Sequence, residues 1–339
     1  MKAAVLHEFK RPLAIESTSD PKPGTGEVLV QVEVCGVCHS DLHLADGDWP
    51  QFNPILKMPL ILGHEVAGHV VETNGSSCGL QPGDRVGLPW IYWTCGECEP
   101  CREGNENLCA KQKITGVTVD GGFAELLRAP ASHLIRIPEA LSLLEAAPLL
   151  CAGVTVFRAL KQASISPGQR LAVFGIGGLG HIAVQVGREL GAEVIAVDVS
   201  DEKLELANSL GAKAQVNAAS TDAGQYLRRQ GGVHVALVTS AAKKAYDAAF
   251  QCVRPSGTLL AVGLPAENIC FSPLMMAARE VRIRASAVGT REDIKEVLSL
   301  AARGKVRCLV SIRKLEQANT ALEELRSGAV SGRLVLSLN

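Results

Sequence analysis

The chain has 339 residues, 47% of them hydrophobic, and a formal net charge of −1. That length accommodates two domains of ordinary size, each with an ample apolar core. No extended basic block is present, which argues against a nucleic-acid partner, and no apolar run reaches the roughly 18 residues of a membrane span. Residues 1–9, MKAAVLHEF, alternate like a strand and lack the pattern of a signal peptide, so a cytoplasmic location is expected. In a reducing compartment, eleven cysteines point to metal or catalysis before disulfides.

The first 150 residues or so are rich in β signals. Val28, Val30, Val32 and Val34 alternate with Leu29, Gln31 and Glu33. Turn clusters at 21–24 and 81–84 punctuate the pattern. Within this stretch lie CGVCHSDLH at 35–43 and GHE at 63–65. Taken alone these are ambiguous. Cys35 and Cys38 have the spacing of a redox pair but lack a thioredoxin-like frame, and a lone His64 is more often structural than a ligand.

The densest signal follows. Cys95, Cys98, Cys101 and Cys109 fall in the pattern C-x2-C-x2-C-x7-C. Four thiolates with no further ligand predict a closed tetrahedral structural zinc site, at about 2.3 Å per bond. The iron–sulfur alternative uses a shorter last spacing followed by proline, whereas Ala110 follows here. A disulfide pairing is disfavoured by the compartment. A closed site cannot bind substrate, so this cluster reads as a brace.

The character changes near residues 151–170. After the Ser166-Pro167-Gly168 turn, strands and helices alternate. Strands are expected at 171–175, 194–199, 233–239 and 258–264, and helices from 179 and over 201–210. Such alternation predicts a parallel sheet wrapped by helices. A helix over 291–302 and a strand over 332–338 complete the chain. Gly175-Ile176-Gly177-Gly178-Leu179-Gly180 fits G-x-G-x-x-G, directly after a strand and before an amphipathic helix. The first Gly permits a tight turn, the second backbone approach to a pyrophosphate, and the third close helix packing. The helix N-terminus supplies free N–H donors to the phosphates. Asp198, eighteen residues past Gly180, suits the ribose hydroxyls and would repel a 2′-phosphate, which favours NAD over NADP. Lys203 is near enough in sequence to help hold the ribose.

Taken together, CGVCHSDLH, GHE, the cysteine cluster, DGGFAE at 120–125, CAGVT at 151–155, GIGGLG and Asp198 resemble the zinc-dependent medium-chain alcohol dehydrogenases of prokaryotic type. The resemblance covers essentially the whole chain. It implies an α/β protein, with a β-rich GroES-like catalytic domain at 1–152, a doubly wound Rossmann cofactor domain at 153–286, and a segment at 287–339 returning to the catalytic domain. It implies two zinc ions per subunit and NAD. Cys38, His64 and Cys151 are the implied catalytic zinc ligands, with Glu65 beside them and Asp41 orienting His64. Cys35 matches no ligand and reads as a buried strand residue. Ser40 would take the alcohol proton and His43 release it.

The resemblance further places His39, Thr155, Val262, Leu264 and Arg333 with the cofactor, Leu264 capping the pocket near the nicotinamide. Trp49 and Trp90 become pocket walls. The implied substrates are small primary alcohols, with secondary or aromatic ones also in range. The implied assembly is a homotetramer, with an apolar strand over 281–286 as the sheet edge that pairs subunits. Competing readings are an NADP-dependent aldehyde or cinnamyl-type reductase and a non-catalytic zinc- and NAD-binding protein.

Overall fold

The valine alternation at 28–34 forms the strand Glu27–Val37, which turns Val28, Val30, Val32 and Val34 into the core and their neighbours outward. It is the spine of a seven-stranded sheet. Glu65–Thr73 runs antiparallel along one side, followed by Arg85–Leu88 and Ile135–Arg136. Along the other side lie Leu126–Pro130 and, further on, Arg333–Ser337 with Val310–Lys314 beyond it. The C-terminal residues thus complete the sheet begun by the N-terminal ones. A smaller sheet of Ala14–Ser17, Lys2–Leu6 and Leu60–Ile61 packs into the same core. The structure, a computed structural model, describes every residue except Ala266, Ala329 and Asn339.

The chain forms two compact units. One comprises Met1–Val154, Gly289–Gly304 and the residues from Cys308 onward; the other comprises Thr155–Val288 and Lys305–Arg307. The second unit is a six-stranded parallel sheet. Its spatial order is Ala214–Asn217, Glu193–Asp198, Arg170–Phe174, Val233–Val238, Val253–Ala261 and Arg282–Ala285. Numbered along the chain, that is the 3-2-1-4-5-6 order of a doubly wound dinucleotide-binding sheet. The helix Arg291–Ala302 has the bounds its periodicity predicts, fixed by the Thr290–Asp293 capping box.

Two expectations need correction. The strand expected at 258–264 is Val253–Ala261 instead. Val253 pairs with Val233 and Thr258 with Val235, so residues 254–257 form a bulge. Pro255, Ser256 and Gly257 signal a turn in sequence and conceal that the strand has already begun. The edge strand is Arg282–Ala285, but it is not apolar: Arg282, Arg284 and Ala285 are exposed. The expectation that no uninterrupted apolar run reaches a membrane span stands beside one helical stretch, Leu143–Gln162, that is long and apolar enough by length and composition alone. Glu145, Arg158 and Lys161 interrupt it in sequence. In the structure 89% of its apolar window is buried, as in a core helix.

Candidate active site

Three distant segments meet at one buried point of the first unit. Cys38 ends the long strand in extended backbone and opens the helix His39–Asp46. His64 sits just before Glu65–Thr73. Cys151 lies in a π-helical turn, Leu149–Gly153, directly after Pro148. Proline cannot donate a helical hydrogen bond, and the turn after it is widened. Asp41, fully buried, ties two of these segments together. Its Oδ2 accepts from Cys38 N at 2.8 Å and its Oδ1 from Gly63 N at 3.2 Å, with His64 Nδ1 at 3.1 Å. A proton on Nδ1 leaves Nε2 as the lone-pair nitrogen.

Donor atoms of Cys38, His64, Glu65 and Cys151 lie within 4.8 Å of one another, all buried. The two sulfurs are 3.9 Å apart. His64 Nε2 is buried with no hydrogen-bond partner. A lone pair left like this inside a protein is costly unless something accepts it. Two soft sulfurs and an imidazole are a zinc-type donor set, so the residues present fit that metal. The Cys151 thiol hydrogen-bonds to Cys38 and holds the Cys38 sulfur well below the usual thiol range.

Beside this cluster Glu65 and Arg333 form a buried ion pair, an Arg333 Nη2–H donating to Glu65 Oε1. Burial lifts the Glu65 carboxyl to about 8 despite the pull of Arg333. These two facts oppose each other. The guanidinium N–H aimed at Oε1 favours the ionised carboxylate, and burial favours the protonated one. Arg333 is only 3% exposed. Expected with the cofactor contacts, it is enclosed against Glu65 next to the sulfur cluster.

Ser40 Oγ is 3.6 Å from Cys38 Sγ. His43, one turn on, has its Nδ1 3.4 Å from Asp48 Oδ2 and stacks on Trp49 at 4.9 Å. Trp49 then meets Phe52 at 5.5 Å, Phe52 meets Trp90 edge-on at 6.2 Å, and Trp90 meets His64 edge-on at 4.9 Å. The aromatic rings therefore run unbroken from His43 to His64. Both tryptophans are half-buried along this wall. Phe52 and Asp48 escaped the sequence reading. The aromatic spacing Trp49-x-x-Phe52 was the available signal for the first. His39 is exposed at the first position of its helix.

The four-cysteine lobe is bracketed by a two-stranded ladder, Ile91–Trp93 with Lys113–Ile114. Donor atoms of Cys95, Cys98, Cys101 and Cys109 lie within 4.8 Å of one another. Cys95 Sγ is 4.0 Å from Cys101 Sγ and 3.6 Å from Cys109 Sγ. These separations are too long for disulfides. They match the edge of a tetrahedron with bonds of about 2.3 Å, roughly 3.8 Å. Backbone N–H groups of Glu97 and Cys98 hold the Cys95 sulfur down at about 6. Both ends of the lobe are anchored. Thr94 N donates to His133 Nε2 at 3.0 Å, and Glu106 takes Arg291 through its backbone N at 2.9 Å and Nη2 at 2.6 Å.

In the second unit Gly175 has φ of 96°, a conformation that favours glycine. A Cβ on Gly180 would lie 1.9 Å from Gly175 O, whereas one on Gly177 would meet nothing. The turn, the close packing and the open approach thus fall on the glycines whose motif roles require them, which fits a dinucleotide. Gly178 and Leu179 lead into the helix Gly180–Glu189. Asp198, ending its strand, accepts from Ile176 N at 2.6 Å, Val199 N at 2.8 Å and Ser200 N at 3.1 Å. Its carboxylate therefore lies against the glycine loop. Lys203 is half-buried in the first turn of the next helix, and Thr155 and Val262 are buried. Leu264 lies past the end of its strand and is 58% exposed.

The family described as the alcohol dehydrogenase GroES-like domain matches residues 24–139, and the zinc-binding dehydrogenase family matches residues 178–303. An alcohol dehydrogenase of Geobacillus stearothermophilus is 46% identical over 340 residues, covering 100% of both chains. The crystal structure of the alcohol dehydrogenase from Aeropyrum pernix superposes with a TM-score of 0.92 at 39% identity, covering all of both chains. A cobalt- and zinc-bound thermostable alcohol dehydrogenase from Pyrobaculum aerophilum gives a TM-score of 0.89 at 27% identity, covering 100% of this chain and 99% of that one. The fold is thus that of a GroES-like dehydrogenase with a Rossmann-type unit. The chain belongs to the zinc-binding alcohol dehydrogenase family, and its reaction class is alcohol dehydrogenation.

Proposed function

We propose that this alcohol dehydrogenase oxidises primary alcohols reversibly, with secondary and aromatic ones in its range, using NAD and a zinc held by Cys38, His64 and Cys151. The observation that carries the reading is the buried Cys–His–Cys donor set with an unpartnered His64 Nε2, next to Ser40 and the aromatic wall. Zinc bound by three protein ligands supplies a Lewis acid that lowers the pKa of a hydroxyl. The chain's own groups do the rest. Ser40 takes the hydroxyl proton, and His43 releases it from a half-buried position with Asp48 on its other nitrogen. Trp49, Phe52 and Trp90 present flat apolar surface, which suits small or aromatic carbinols over polyols. NAD, which the glycine loop and Asp198 would hold, would supply the hydride acceptor.

The glycine loop and Asp198 support NAD, since a carboxylate there repels a 2′-phosphate. The four-cysteine lobe holds a second, structural zinc. A cytoplasmic homotetramer completes the reading; the exposed edge strand Arg282–Ala285 offers unpaired backbone groups to another copy.

The deciding experiment follows NADH formation by zinc-replete protein with ethanol, a longer primary alcohol, benzyl alcohol and sorbitol, each with NAD and NADP. Primary alcohols with NAD should turn over fastest. A preference for NADP would overturn the role given to Asp198, and turnover of sorbitol alone would overturn the substrate class.

A further inference from the structure

The strand Glu27–Val37 carries a glycine near its buried end, where glycine weakens a strand. Gly36 does not have the left-handed backbone that would call for one, being absent from the positive-φ glycines. It pairs with Glu65 on one side and with Val335 on the other. A Cβ at position 36 would lie 1.8 Å from Glu65 Oε2, 2.8 Å from its Cδ and 2.9 Å from its Cβ. The Glu65 carboxylate therefore rests on the bare Cα of Gly36. In that seat Oε1 faces Arg333, and Oε2 is buried with no hydrogen-bond partner. The same carboxylate is close enough to the sulfurs of Cys38 and Cys151 and to His64 to act as a donor with them.

We infer that Gly36 is a positioning residue: its missing side chain gives the Glu65 carboxylate a resting place against Arg333, off the metal. The inference rests on the reading of Cys38, His64 and Cys151 as ligands. Its consequence is chemical. Three protein donors leave one position of a tetrahedral ion for an alcohol oxygen, and a carboxylate forced onto that ion would compete for it. Arg333 supplies the attraction that draws Glu65 away, and Gly36 supplies the room. The two act together: the carboxylate that meets the guanidinium is the one lying over residue 36.

The test uses the full chain loaded with cobalt. The visible bands that belong to this site are those missing from a Cys38→Ser variant. In the unsubstituted protein these bands should have the intensity of a four-coordinate ion. Gly36→Ala should replace them with the weaker bands of five-coordination, and Gly36→Ala/Glu65→Gly, which removes the carboxylate and the crowded Cβ together, should restore them. If Gly36→Ala does not fold, a double variant that folds with four-coordinate bands still identifies Glu65 as what the added Cβ meets. An unchanged spectrum in folded Gly36→Ala overturns the inference. So does five-coordination that persists in the double variant, or a double variant that also fails to fold. If the unsubstituted protein shows no bands dependent on Cys38, the ligand reading itself fails, and this inference with it.

Discussion

The two cysteine clusters are built in opposite ways. Cys95, Cys98, Cys101 and Cys109 come from fifteen consecutive residues, and three of the four are partly exposed. Cys38, His64 and Cys151 are gathered from positions up to 113 residues apart, and all are buried. Closing a short loop costs little chain entropy, but the lobe has no core of its own: it is tied down at Thr94 and Glu106, and the cysteine donors between lie partly at the surface. In the dispersed cluster the large sheet and the core helix bring the donors together, so the fold exists before the ligands meet. A metal in the local lobe therefore acts mainly on folding. A metal in the dispersed site acts mainly on chemistry.

Breaking the dispersed site should give the largest effect. Cys38→Ser is expected to lower kcat/KM by about 10³-fold or more, roughly 4 kcal/mol of transition-state stabilisation. Its melting temperature should move by only about 2 °C. Steady-state kinetics and calorimetry on one preparation check both. A collapse of the melting temperature would break the comparison.

Cys98→Ser should do the reverse. Losing a structural metal removes folding free energy. At about 2 °C per kcal/mol, a loss of about 4 kcal/mol lowers the melting temperature by about 8 °C. Zinc content should fall from about two per chain to about one. A variant that keeps its zinc and its melting point would show that the lobe is no brace.

The smallest effect sharpens how the lobe is anchored. Burial, reinforced by the nearby Arg291 charge, lowers the His133 ring from 6.5 to about 4. Between those values the unfolded chain binds a proton that the folded chain does not, so folding stability is fully present above pH 6.5 and declines as the pH falls toward 4. At pH 5 the loss is about 2 kcal/mol. Urea melts at pH 8 and pH 5 should show that difference, and His133→Gln should remove it. The same slope in the variant would place the acid sensitivity elsewhere.

Much of this molecule was legible in its sequence. The parallel sheet follows from apolar runs alternating with amphipathic segments, and the helix Arg291–Ala302 can be read to its ends because its cap is local. The four-cysteine lobe is equally readable, since its spacing and its geometry belong to one loop. The dispersed cluster is not. Spacing alone does not separate Cys38 from Cys35, although the structure puts one sulfur beside His64 and Cys151 and buries the other in the core. Only likeness to a family named those ligands in advance.

The remaining gaps share a cause. The strand through Pro255 and Gly257 is held by its neighbour in the sheet and overrides local turn propensity. Phe52 joins Trp90 across 38 residues, and Arg333 reaches Glu65 across 268. Local pattern by itself determined most of the elements, the glycine-rich loop and the cysteine lobe, because hydrogen-bond periodicity and short loops act over a few residues. Tertiary structure decided which cysteine faces His64, where the Glu65 carboxylate rests and which rings line the wall. Those contacts form between segments distant in sequence, and their energy exists only once the sheet has brought the segments together.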